Sequence, residues 1–410
     1  MDRDPARLMA ASTPPPASTG VPAAGVPATA PVTATAHRSN NLDALRLIGA
    51  LAVIFGHAYH IVGRPFENPV VAGYPVQTLG VVIFFSISGY LITASWSRTR
   101  NPVSYFAARS LRIFPALILV VLVCMFVIGP LVTVLPMGQY FGGFPSTLGQ
   151  VRELPDASNV WTYLSNIILR PQYELPGVWG DHPYPNAVNG SLWTLPAEFF
   201  CYLLVPLVFL FPKVARIPVI ALLLAASVWY SMTPPLDSAV IWHSRISDNA
   251  LMWVFFAAGA ILRLLAERGM KFRTDVAVGL LAVYLVIAGT LPQHTTKIAW
   301  LFLPYIVLTI GLASTPYVRR ASRYGDLSYG LYLWAFPVQQ LVIDLWGVQR
   351  MSVNLVVVTL ITAALALASW HAVEHPSLKL KDRIVRRFAP SRPQPAPAAG
   401  TPVGEPASRS

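Results

Sequence analysis

Charge is scarce in this chain. Only 12% of its 410 residues are Asp, Glu, Lys or Arg, against roughly 25% in a soluble domain. That deficit excludes an ordinary soluble fold. Cysteine is scarcer still: Cys124 and Cys201 are the only two, both inside apolar runs. Such a pair makes neither a disulfide framework nor a metal cluster, and reads as two small buried hydrophobes. Residues 1–39 lack the continuous apolar core of a signal peptide. Their stretch STPPPASTGVPAAGVPATAPVTATA predicts a disordered tail, and residues 389–410 (APSRPQPAPAAGTPVGEPASRS) predict a second. No internal repeat is visible, which counts against the common transporter folds.

What the chain has instead is long apolar runs. Its composition is 54% hydrophobic, with a mean hydropathy of +0.53, as expected of an integral membrane protein. The runs predict an all-α bundle of about ten transmembrane helices within a single domain, 40–388. Their extents are 42–62, 76–96, 111–135, 191–211, 216–232, 249–268, 275–291, 298–315, 327–347 and 352–372. The formal net charge of +12 does not point to nucleic acid, because the basic residues sit in short loops between the runs. With the N-terminus cytoplasmic, the inner segments hold 23 of the 30 Lys and Arg residues, the outer loops hold six, and Arg46 lies in the first helix. That asymmetry predicts both termini inside and an even number of spans. The longest outer loop, about 136–190, carries a candidate short helix at 160–170 and an expected lid or acceptor-binding role.

Ionisable groups within the apolar runs each call for an account, since one at the bilayer centre costs roughly 2.5–3.5 kcal/mol on insertion scales. The candidates are Asp43, Arg46, His57, His60, Glu198 and Asp344. Arg46 and His57 stand eleven residues apart in RLIGALAVIFGH, close to three turns, so they share a helix face about 16 Å apart along the axis. A snorkelling arginine and a structural histidine are the bland alternative. Glu198 lies at a depth compatible with His57, and a carboxylate that orients an imidazole makes it a competent base. Packing alone is the other reading of Glu198. In FFSISGYLI, Ser86, Ser88 and Gly89 suit either close helix packing or substrate contact. In RSLRIFP, Arg109 and Arg112 stand at i, i+3 on the expected cytoplasmic rim of the third helix. They suit phosphate binding or plain positive-inside charge.

In order, LDALRLIGALAVIFGH, FFSISGYLI, RSLRIFP, SLWTLPAEFFCYLLVP and SYGLYLWAFPVQQLV resemble the motifs of acyltransferase family 3, bacterial membrane O-acyltransferases of surface glycans and small molecules. The resemblance covers residues 41 to about 376. It implies that His57 is the family's essential histidine, Arg46 its arginine partner, Arg109 and Arg112 the pair handling the acyl donor, and Glu198 the glutamate of the fourth helix. Ser86, Ser88, Tyr90 and Trp193, in the same motifs, are candidate substrate contacts. One departure is Ala335, where many relatives have histidine. The chain is expected to be a stand-alone type, without an appended esterase-like domain.

The activity that the resemblance implies is O-acyl transfer, of an acetyl group by family precedent, from cytoplasmic acyl-CoA to a hydroxyl of a glycan or lipid-linked sugar. The setting implied is a bacterial inner or plasma membrane. Acyl-CoA is a co-substrate, and no bound cofactor or metal is expected. His57 serves either as general base or as an acyl-carrying nucleophile. A transporter or flippase of a lipid-linked or acylated product is the alternative from another class.

Overall fold

The computed structural model describes residues 40–142, 159–232, 239–323 and 325–388. Both predicted tails, and part of the long loop, lie outside those residues. Helices stand at all ten predicted places: α1 (Leu42–Ile61), α2 (Val76–Thr99), α3 (Pro102–Val123), α4 (Thr194–Val208), α5 (Arg216–Met232), α6 (Ile246–Glu267), α7 (Thr274–Thr290), α8 (Pro292–Leu312), α9 (Ser328–Trp346) and α10 (Met351–Ser369). The last runs through a π-turn, Trp370–Glu374, into α11 (His375–Phe388). A second π-turn, Cys124–Ile128, extends α3 to Val132.

Seven of these helices are long and apolar enough to cross a membrane. The chain is therefore a multi-pass, all-α membrane protein. Helices α5 and α7, at 17 residues each, are shorter, and α9 is not among the seven. Its polarity has a structural reason: the run from Gly330 to Gln340 is buried. Inside that sheath Gln339 donates to the Ile54 carbonyl at 2.9 Å, and Gln340 to those of Tyr184 and Ala187 at 2.8 and 2.9 Å. Hydropathy is a poor guide to a helix enclosed by other helices.

One boundary changes the site. The third helix begins at Pro102, not 111, because Asn101 caps it by accepting from the Ser104 amide at 3.0 Å and Pro102 supplies the first helical residue. Arg109 and Arg112 thus lie about two and three turns inside a helix instead of at its start.

Helix α1 is central, packed against α2, α8, α9 and α10, while α2 lies along α6. The α2–α6 contact is very close. A Cβ on Gly89 would collide with the Phe256 carbonyl, and one on Gly259 with the Ser86 carbonyl. The small residues of FFSISGYLI thus serve, in part, the packing role.

No repeat is visible in the sequence, yet two like pieces appear in the fold. Strands β1 (Val70–Val71) and β2 (Tyr74–Pro75) form a hairpin leading directly into α2; β3 (Val240–Ile241) and β4 (Ser244–Arg245) form one leading into α6. Both turns place their two central residues at positive φ, Ala72 and Gly73 in one, Trp242 and His243 in the other, as a type I′ hairpin requires. Trp242 and His243 are held there by side-chain bonds to the Ile168 carbonyl, at 3.0 Å, and to Arg170.

Candidate functional site

The face of α1 that carries Arg46 and His57 lines two cavities. The larger, about 840 Å³, holds His57 and His60 from α1, Gln77 and Thr78 from α2, and Trp193 just before α4. Tyr173, Glu174 and Tyr184 of the long loop complete one wall, and the β3–β4 hairpin another. The smaller, about 50 Å³, holds Arg46, Arg112, Glu198, Tyr202 and Tyr329. Val81 and Tyr332 line both. Arg46 and His57 therefore open onto neighbouring spaces, as their spacing predicts.

Phe336 holds the His57 ring edge-on at 5.5 Å between centroids. Its Nδ1 is buried without a hydrogen-bond partner, which leaves Nε2 as the nitrogen available to the cavity. One turn on, His60 Nε2 is met by Gln77 Nε2 at 3.1 Å and Asn68 Nδ2 at 3.3 Å. Asn68 in turn donates to Gln77 Oε1 at 2.7 Å.

Glu198 does not pair with His57. Its Oε1 accepts from Ser88 Oγ at 3.0 Å and from the Tyr202 hydroxyl one turn further along α4. The carboxylate belongs to the smaller cavity, with the arginines. Similar depth on two helices did not amount to contact, because α2 stands between them with Ser88 as the nearer donor.

The arginines divide into two classes. Arg46 Nη1 and Arg112 Nη2 both donate to Asp326 Oδ2, at 3.0 and 2.7 Å. Arg112 Nη1 also lies 3.7 Å from Glu374 Oε2. The Arg112 guanidinium packs over the rings of Tyr329 and Trp370, 5.6 and 5.9 Å from their centres. Arg109 has no carboxylate partner among the described residues, and its Nε is buried without a hydrogen bond. Burial pushes the Asp326 carboxyl up, but Arg112 and Arg46 outweigh that and hold it well below the usual carboxylate range.

Asp326 and Glu374 escaped the sequence reading. The signal for Asp326 was present: it is the single acid of the connection PYVRRASRYGD, otherwise basic. Glu374 is carried by the π-turn that ends α10, where Ser369 donates to it at 3.2 Å. Such turns break helical register in a way that periodicity cannot show.

The other candidates scatter. Trp193 lines the larger cavity. Ser86 is turned back onto its own helix, donating to the Val82 carbonyl at 2.8 Å. Tyr90 lies under Arg263, 5.5 Å from ring centre to guanidinium, and edge-on to Phe272. Ala335 is buried in a cluster with Ala50 and Ile54 of α1. Asp344 accepts from the Trp179 indole at 3.1 Å and lies 3.4 Å from His182 Nε2, tying the long loop to α9. Asp43 accepts from Ser322 at 2.7 Å. Cys124 and Cys201 are buried free thiols.

Comparison with known proteins adds an independent line. Residues 39–373 match the family described as an acyltransferase domain. The chain is 30% identical over 381 residues to nodulation protein 10 of Rhizobium leguminosarum bv. viciae, covering 86% of this chain and 96% of that one. It is 28% identical over 321 residues to an O-acetyl transferase of Shigella phage Sf6, covering 75% and 87%. Against the peptidoglycan O-acetyltransferase OatA of Listeria monocytogenes serovar 1/2a the identity is 24% over 336 residues, covering 73% of this chain and 49% of that protein. No solved structure matches.

Proposed function

The chain belongs to the acyltransferase domain family and is a membrane O-acyltransferase, and from that premise we propose that it moves an acetyl group from acyl-CoA to a sugar hydroxyl, with His57 as general base. The carrying observation is the pair of adjoining cavities on one face of α1. One presents guanidinium groups suited to an anionic donor; the other presents an imidazole among polar and aromatic side chains suited to a sugar. The names of the relatives, two of them O-acetyl transferases and one acting on peptidoglycan, support the acetyl group and the glycan.

In this reading the basic end of the bundle faces the cytoplasm, and the phosphates of the donor meet Arg109, with Arg46 and Arg112 nearby. The thin pantetheine arm carries the thioester past Val81 and Tyr332 to the larger cavity. His57 Nε2 takes the proton of the acceptor hydroxyl as its oxygen attacks the thioester carbonyl. The carbon–sulfur bond then breaks, the CoA thiolate leaves, and the imidazolium returns the proton to it. Base catalysis of this kind is worth about 10²–10⁴-fold. Tyr173, Tyr184 and Trp193 supply ring faces for the acceptor.

The test is His57→Ala in cells, read as the mass of the surface glycans. Loss of the acetyl increment, with mutant protein inserted at normal level, is the expected result. Undiminished acetylation would remove His57 from the chemistry.

A further inference from the structure

Asp326 sits two residues before α9, between helices that carry the donor-side arginines. Its Oδ2 takes one N–H from Arg46 of α1 and one from Arg112 of α3, at 3.0 and 2.7 Å, while Ser328 Oγ donates to Oδ1 at 2.7 Å. Both oxygens are therefore engaged, and the carboxylate cannot rotate without breaking a bond. Two guanidinium groups drawn from separate helices to one point repel each other; a shared carboxylate turns that repulsion into a bridged pair. Each guanidinium has five N–H donors, and Asp326 engages a single nitrogen of each. Of the others, Arg112 Nη1 lies 3.7 Å from Glu374 Oε2, and both arginine side chains line the smaller cavity. The arginine side chains are 19% and 16% exposed, so solvent does little to loosen the bridge.

We propose that Asp326 is a positioning residue of the donor site: its carboxylate holds Arg46 and Arg112 side by side at the smaller cavity, so that together they receive an anionic group of the acyl-CoA. The assignment rests on acyl-CoA being the donor. The rival role for such an acid is competition, in which Asp326 occupies the arginines and keeps the donor off. The two roles differ in sign. Removing a positioning carboxylate weakens donor binding even though the site becomes more positive. Removing a competitor strengthens it.

The experiment uses the full chain in lipid nanodiscs and acetyl-CoA as the probe, with equilibrium binding of the labelled compound and initial rates of CoA thiol release. Asp326→Asn keeps the shape and loses the charge. Expected is about tenfold weaker binding or more, the scale of a lost charged hydrogen bond, with KM raised far more than kcat is lowered. Asp326→Glu is expected to recover part of the affinity, which a mere loss of folding would not allow. Should Asp326→Asn fail to insert, Ser328→Ala removes only the Oδ1 tether and is expected to raise KM in the same direction by a smaller factor. Unchanged or tighter binding by Asp326→Asn, or by Ser328→Ala in its place, overturns the positioning role while leaving the donor intact. Failure of the wild-type chain to bind acetyl-CoA overturns the donor assignment, and the positioning role with it.

Discussion

At the scale of single residues, the main revision concerns Glu198. Sequence depth put it level with His57; the structure gives its Oε1 to Ser88 and Tyr202. Half of that was legible, since Glu198 and Tyr202 are i, i+4 on one helix and such pairs meet. The other half was not, because Ser88 lies 110 residues away on α2 and no periodicity relates two helices. A consequence follows for mutants. If Glu198 worked through His57, Glu198→Gln would act on the same step as His57→Ala and cost a large part of the same loss. With Glu198 bound to Ser88 instead, Glu198→Gln should leave activity that His57→Ala does not. Adding Ser88→Ala to Glu198→Ala should then cost little more, because Glu198→Ala has already removed the acceptor of the Ser88 hydroxyl. Initial rates of acetyl transfer for the two single variants and the double variant check this; fully additive losses would separate Ser88 from Glu198.

Among the elements, α3 and the α2–α6 pair show what local pattern does and does not reveal. The hydropathy of α3 rises only after Arg112, so a reading by apolar content starts it at 111. The helix signal lies earlier, in Asn101 and Pro102, where capping chemistry sets the start regardless of polarity. For α2, Gly89 reads equally well as packing or site. It is packing: the backbone of α6 passes where its side chain would be, and Gly259 returns the relation from the other helix. Neither glycine can accept a methyl group without moving a backbone, which is costlier than moving a side chain. Gly259→Ala should therefore destabilise the bundle by about 1–3 kcal/mol, read as a lower thermal midpoint in detergent. Gly279→Ala, on α7, is the control, since a Cβ there meets nothing within 4 Å. It should leave the midpoint unchanged or raise it slightly. Equal behaviour of the two variants would mean that α2 and α6 can separate freely.

For the whole molecule, the order of helices and the common face of Arg46 and His57 were readable from the chain, because apolar runs and a helical period of 3.6 are local properties. The ionic centre of the basic end was not. It draws on α1, α3, the connection before α9 and the π-turn after α10, four segments that meet only on folding. Arg112, Arg46, Asp326 and Glu374 together tie those segments, so their ionisation bears on the stability of that end as a unit. The sign for Asp326 is fixed by its depressed carboxyl. A group held below its unfolded value, about 3.9 for Asp, contributes fully above that value and loses its contribution as the pH falls through the lower folded value. Glu374 shares Arg112 and has to be silenced before Asp326 can be read alone. In a Glu374→Gln background, the thermal midpoint lost on Asp326→Asn should stay constant from about pH 8 down to pH 5, then shrink below about pH 4 as the unfolded parent chain takes up a proton at Asp326 while the folded one still keeps it ionised. A loss that instead fades between about pH 7 and 5 would show that Asp326 is not held ionised by Arg46 and Arg112, and that the bridge between α1 and α3 is absent in the membrane protein in solution.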